Sequence, residues 1–247
     1  MSTLSTSRLK PSLREATLNE AVGGGVLIAV GILSALVLTG HLAPASSTVA
    51  DALMRFGQLL GAPPADSRVY WYMARSAGVV AYLLLWGSVV AGLMVTNKVL
   101  DGAVKPRVTF ETHQFLSIAA LAFSGFHAFI LLGDTYIQFD VADVLIPFRS
   151  PYEPGWVGVG ILSFYLSALV AGSFYVKKRI GHRAWRLIHF ASFAGWIMVT
   201  LHGLMAGTDS GTPLMRTIYL VTTLSAAFLT VYRILVTRMK PAPARSN

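Results

Sequence analysis

Long apolar runs alternate with short polar connections along this chain, and the runs exceed the length of an ordinary core helix. Crossing about 30 Å of hydrocarbon takes roughly 20 apolar residues in helical form. Six stretches reach that length: about 21–40, 74–97, 113–133, 156–177, 186–206 and 214–236. They predict an all-α fold, a polytopic membrane protein whose six-transmembrane-helix bundle covers 21–237. A polar arm over 1–20 precedes it and a tail over 238–247 follows. No soluble catalytic domain is expected beyond the sixth segment. The first stretch has the polar, basic start of a signal peptide, with Ala45 as a cleavage point, but its apolar run is longer than the about 7–15 residues of a signal core. A retained span is therefore expected. Gly23, Gly24 and Gly25 lie inside this apolar pattern and read as close packing, not as a phosphate cradle.

Composition sharpens the picture. The 247 residues are 54% hydrophobic and 13% charged, against about 25% charged in soluble domains. The net charge of +9 would suit nucleic acid, but the basic residues are scattered between apolar runs, as topology signals are. Cysteine is absent, which excludes disulfides, iron–sulfur clusters, thiolate haem ligation and covalent haem attachment. Basic residues mark the N-terminal arm (Arg8, Lys10, Arg14), the second-to-third connection (Lys98, Lys105, Arg107), the fourth-to-fifth (Lys177 to Arg186) and the tail. Acidic residues such as Asp134, Asp140, Asp143 and Asp209 mark the alternate connections. The positive-inside rule then predicts a multi-pass protein of the cytoplasmic membrane with both termini in the cytoplasm. The long connection from Asp134 to Trp156, rich in aromatics and proline, is expected to lie on the outer membrane surface.

The chemistry is concentrated in four histidines. His113 and His127 bracket the third segment, and His189 and His202 bracket most of the fifth. Separations of 14 and 13 residues rise about 21 and 20 Å along a helix, so the four predict two cross-helix pairs, one near each leaflet. Ionisable groups inside a membrane are costly and face a bundle interior with partners. Neutral imidazole is also a standard axial ligand of haem iron. The pairs, His113 with His189 and His127 with His202, are what two stacked bis-histidine haems b require, with one haem as the reduced alternative. Ser117, Ala120, Ser124, Gly125, Ser192 and Gly195 leave space for them, and Phe123, Phe193 and Trp196 are expected to line the pockets. The 13-residue step is awkward. It turns about 140° around an ideal helix, whereas 14 residues return within about 40° of the starting face. The fifth helix must bend, twist or approach its two partners from different sides.

Haem propionates call for cations. Arg186, one turn before His189, and Arg75, entering the second segment, are the candidates; for both the competing reading is an arginine snorkelling to the interface. Arg216 is weaker. His41 reads as an interfacial residue, and His182 as a juxtamembrane cation or an alternative to His189. Trp71, Tyr72 and Trp156 read as interfacial belt residues.

Residues 70–237 resemble the ferric reductase-like transmembrane domain superfamily, which includes ferric reductases, NADPH oxidases and the haem membrane subunit of a bacterial methionine sulfoxide reductase system. The likeness rests on the histidine spacing and on "GHRAWRLIHFASF", "ARSAGVVAYLLL", "PFRSPYEPGWVGVGILSFYL" and "HGLMAGTD". It implies haem b held by His113 with His189 and by His127 with His202. Unlike the oxidases, the sequence carries no FAD or NADPH domain, which implies separate partners. The leading expectation is a cytochrome b that carries electrons across the bilayer, from a cytoplasmic protein or quinol donor to an outer-face acceptor. The alternative is a haem-free transporter or an anchoring or assembly subunit of a larger complex. Membrane lipid is an expected partner and nucleic acid is not.

Overall fold

The computed structural model describes residue 55 and residues 68–97, 102–134 and 136–239. The predicted first span at 21–40, the arm, His41 and the residues after 239 lie outside the described residues. All regular structure among the described residues is helical: α1 (Arg68–Asn97), α2 (Pro106–Ile130), α3 (Val141–Leu145), α4 (Pro154–Ile180), α5 (His182–Ala206) and α6 (Pro213–Met239), with a 3₁₀ turn at Leu131–Gly133. Five of these helices are long and apolar enough to cross a membrane, which makes the chain a multi-pass membrane protein by helix length and composition. Helices are the expected solution there, because hydrocarbon offers no partner for a free backbone N–H or C=O.

Each long helix overruns its predicted apolar core by one to several residues, since hydropathy marks only the lipid-facing part. Prolines set several starts: Pro106, Pro154 and Pro213 open α2, α4 and α6, where a missing N–H costs nothing. At the other end of α4, Lys177, Lys178 and Arg179 occupy the last turn, where cations favour the helix dipole. Gly181 then stands alone between α4 and α5 at φ +82°, a conformation that favours glycine. Its N–H bonds the Lys177 carbonyl at 3.0 Å and its own carbonyl accepts from the Trp185 N–H at 3.1 Å.

Two antiparallel hairpins result. The α1–α2 pair and the α4–α5 pair each pack along their length, whereas α2 and α5 do not pack on one another. α6 lies against α1. Tyr82 Oη and Thr222 Oγ1 are 2.7 Å apart, and Trp86 Nε1 donates to Ser225 Oγ at 2.9 Å. Around these bonds Tyr82, Trp196, Met215, Tyr219 and Ala226 form a buried cluster. Outer faces stay apolar: Phe115, Leu187, Leu214 and Phe228 are among the exposed large side chains, as lipid-facing positions require.

The connection between α2 and α4 is folded inward over the end of the bundle, not merely spread on its surface. Asp140 caps α3 by accepting from the Asp143 N–H at 2.8 Å, and Asp143 returns the bond to the Asp140 N–H at 2.9 Å. Arg149 reaches both carboxylates, at 3.0 and 3.4 Å. With its caps satisfied, α3 turns Val141, Val144 and Leu145 inward onto Leu132 and Phe139, and Trp71 and Tyr152 pack against them. Tyr152 Oη donates to the Ala206 carbonyl at 3.0 Å. Burial, with the Glu153 carboxylate beside it, pushes the Tyr152 phenol above its ordinary range, so it remains a donor.

Candidate functional site

The gap between the hairpins is a cavity of about 800 Å³, and all four histidines named above line it. The α2 and α5 chains run in the same direction, so their histidines meet at two levels. His113 and His189 have ring centroids 6.1 Å apart with planes at 82°. His127 and His202 stand 6.2 Å apart with planes at 74°. Two imidazoles holding one metal ion from opposite sides would put their centroids about 6.2 Å apart, given a metal–nitrogen bond of about 2 Å and a ring radius of roughly 1.1 Å. Both pairs have that separation. Among the described residues no three or more of histidine, cysteine, aspartate and glutamate cluster as metal ligands. Two facing imidazoles would suit a metal group that brings its other donors with it, as haem iron does.

What holds the rings is a repeated device. His127 Nδ1 donates to the Ala74 carbonyl at 2.7 Å, His113 Nδ1 to that of Ser88 at 2.8 Å, and His202 Nδ1 to that of Trp156 at 2.8 Å. A carbonyl only accepts, so each Nδ1 carries the hydrogen and each Nε2 keeps its lone pair. This is the tautomer a metal needs, with the basicity of the ring raised by the bond. Four residues beyond each accepting carbonyl stands a glycine: Gly78, Gly92 and Gly160. In a helix that residue covers the carbonyl it bonds. A Cβ on Gly78 would lie 3.0 Å from His127 Nδ1, one on Gly92 3.1 Å from His113 Cε1, and one on Gly160 2.6 Å from His202 Nδ1. The missing side chains are the seats in which three imidazoles lie against the backbone of the neighbouring helix.

His189 is held differently. Neither ring nitrogen has a hydrogen-bond partner among the described residues. Its ring stacks on Trp185, with centroids 5.2 Å apart and planes at 26°. The 13-residue step explains this: turned about 140° from His202 on the same helix, His189 cannot back onto α4 as well. α5 serves its two levels from different sides.

The chain matches no family model, no curated protein and no solved structure. The site is therefore read from its own geometry.

Arg75 and Arg186 both line the cavity, at opposite ends. Arg75 lies beside the His127 level and forms an ion pair with Asp209 of the α5–α6 connection, Nε to Oδ2 at 2.7 Å and Nη2 to Oδ1. Arg186 lines the cavity beside the His113 level and has no ion-pair partner among the described residues. His182 begins α5 at this end with its ring 5.5 Å from Trp185; it is His189 that faces His113. Ser117, Ala120, Ser124, Gly125, Ser192 and Phe193 line the cavity as expected. Phe123 and Trp196 do not: Phe123 points outward, and Trp196 is buried in the α1–α6 cluster, stacked on Tyr82 at 5.0 Å. A position one residue along a helix turns about 100°, enough to move either ring off the cavity wall. Trp71 packs edge-on against Tyr152 at 5.7 Å, and Trp156 contributes its carbonyl to His202.

Proposed function

We propose that the chain is an integral membrane cytochrome b, similar to the ferric reductase-like transmembrane domains, which carries electrons across the bilayer. The observation that supports this best is the pair of two-histidine gates, 6.1 and 6.2 Å wide, with three of four rings pinned in the ligating tautomer. In this reading His113 with His189 and His127 with His202 are the axial ligands of two haems b. Haem held there would supply reversible exchange of one electron between ferric and ferrous iron. With both imidazoles of each level engaged, the haems would exchange electrons without binding substrate, and the chain's own residues would bind, orient and insulate them. Arg186 would meet carboxylates at one end of the cavity, and Arg75, already matched by Asp209, would help at the other.

Sidedness follows from charge. Lys105, Arg107, Lys177, Lys178, Arg179, Arg183 and Arg238 gather at the end of the bundle that holds His113 and His189. Asp134, Asp140, Asp143, Glu153 and Asp209 gather at the other end. The positive-inside rule makes the first end cytoplasmic and the second the outer face, with six spans once 21–40 is included. The test is a reduced-minus-oxidised spectrum and a pyridine haemochrome assay on purified protein. Two haems per chain are expected, falling to about one in His202→Ala and in His113→Ala, by loss of different pairs. Protein without a visible absorbance band overturns the reading and leaves the haem-free alternative.

A further inference from the structure

We infer that Trp185 is the positioning residue of His189, standing in for the backbone carbonyl that positions each of the other three histidines. The inference rests on the cytochrome reading above. Trp185 precedes His189 by four residues, the spacing that places two side chains on one helix face. The two rings stack at 5.2 Å and 26°. The indole is itself braced from α4. Lys177 Nζ lies 5.6 Å from the Trp185 ring and 4.1 Å from Phe174, within the about 6 Å over which a cation is drawn to an aromatic face. Gly181 makes this contact feasible, because one residue at φ +82° brings the last turn of α4 beside the first turn of α5. The result is a pile of Phe174, Lys177, Trp185 and His189 that ends at the metal position. Trp185 Nε1 is buried and has no hydrogen-bond partner among the described residues, so its fixed contact is the ring face.

Stacking and hydrogen bonding do different things to a ligand. A carbonyl at Nδ1 fixes the tautomer and raises the basicity of the imidazole. A stacked indole fixes the plane of the ring and leaves Nδ1 unconstrained. The His127–His202 level has two carbonyl-held rings, and the His113–His189 level has one. The angle between the planes at the second level, 82°, is then a property of Trp185. That angle is readable: near-perpendicular axial imidazoles give a strongly anisotropic low-spin ferric electron paramagnetic resonance signal, and the anisotropy falls as the planes align.

The experiment uses the full-length holoprotein in nanodiscs, with Trp185→Leu, Trp185→Phe and His189→Ala compared with wild type for haem content, paramagnetic resonance and midpoint potential. His189→Ala identifies which signal belongs to its level. Trp185→Leu should lower or broaden the anisotropy of that signal and shift its potential, with the other haem unchanged. Trp185→Phe keeps a stacking face and should retain the wild-type signal. A leucine variant with both signals and both potentials at wild-type values would sink the inference and leave the cytochrome reading standing. A phenylalanine variant altered as much as the leucine one would also overturn it, since the face would then not be what matters. If the leucine variant does not fold, the phenylalanine variant decides in the same way. Wild-type protein without haem would remove the cytochrome reading and this inference together.

Discussion

Gly160 has no side chain, and that absence decides where an imidazole sits. A Cβ there would meet His202 Nδ1 at 2.6 Å and Cε1 at 2.8 Å, too close to stand, and the ring can retreat only by leaving the Trp156 carbonyl. Overpacking of this kind costs about 1–3 kcal/mol, comparable with the bond being lost. Gly160→Ala is therefore expected to lose the haem of the His127–His202 level, halving the content of folded protein. Gly102→Ala, whose Cβ would meet nothing within 4 Å, should keep the wild-type amount. Haemochrome assay of both variants checks this, and full content in Gly160→Ala would count against the seat. The histidines were legible from spacing alone, because charge-bearing rings are conspicuous in apolar runs. The seats were legible in part. Gly78 and Gly92 repeat the fourteen-residue interval of His113 and His127, the signature of an antiparallel match. Gly160 has no second glycine to set an interval, since the other histidine of α5, His189, rests on Trp185.

At the scale of elements, the membrane-length helices were readable because hydrocarbon thickness sets their length, and five of the six expected spans fall among the described residues as helices. Their ends were less readable, since Pro106, Pro154 and His182 begin helices before the apolar run does. α3 was missed: five residues are too few for a period, and its stability comes from the Asp140–Asp143 cap and from Arg149. The awkward step on the fifth segment needed no kink, only a different support at each level. α6 is fastened to α1, and its Met215 and Tyr219 pack with Trp196 of α5. Thr222→Val removes the partner of the buried Tyr82 hydroxyl and should lower stability by about 1 kcal/mol, the size of an interhelical hydrogen bond in a membrane. Haem content and potentials should stay at wild-type values. Thermal unfolding followed beside the visible spectrum separates the two effects; a change at either haem would place α6 in the site after all.

The whole molecule is polarised by charge, and in the proposed reading its basic end would suit an acidic electron donor as well as anionic lipid. Among the described residues all regular structure is helical, and none resembles a nucleotide-binding sheet. If separate proteins supply the electrons, protein in nanodiscs given NADPH alone should show no rapid haem reduction, and adding a flavin reductase should start it. Fast reduction by NADPH alone would refute the need for a partner, whereas reduction by a quinol analogue would change the donor and keep the cytochrome. The carbonyl seats also bear on how such a molecule is assembled. Each lies inside one hairpin, between residues 25, 53 and 46 positions apart, while the two histidines of each level come from different hairpins that do not otherwise pack along α2 and α5. Each hairpin can then mature as a finished half-site during membrane insertion, its imidazoles already oriented. In the cytochrome reading, haem would then add a further link between halves that already touch through α2 with α4 and α1 with α5.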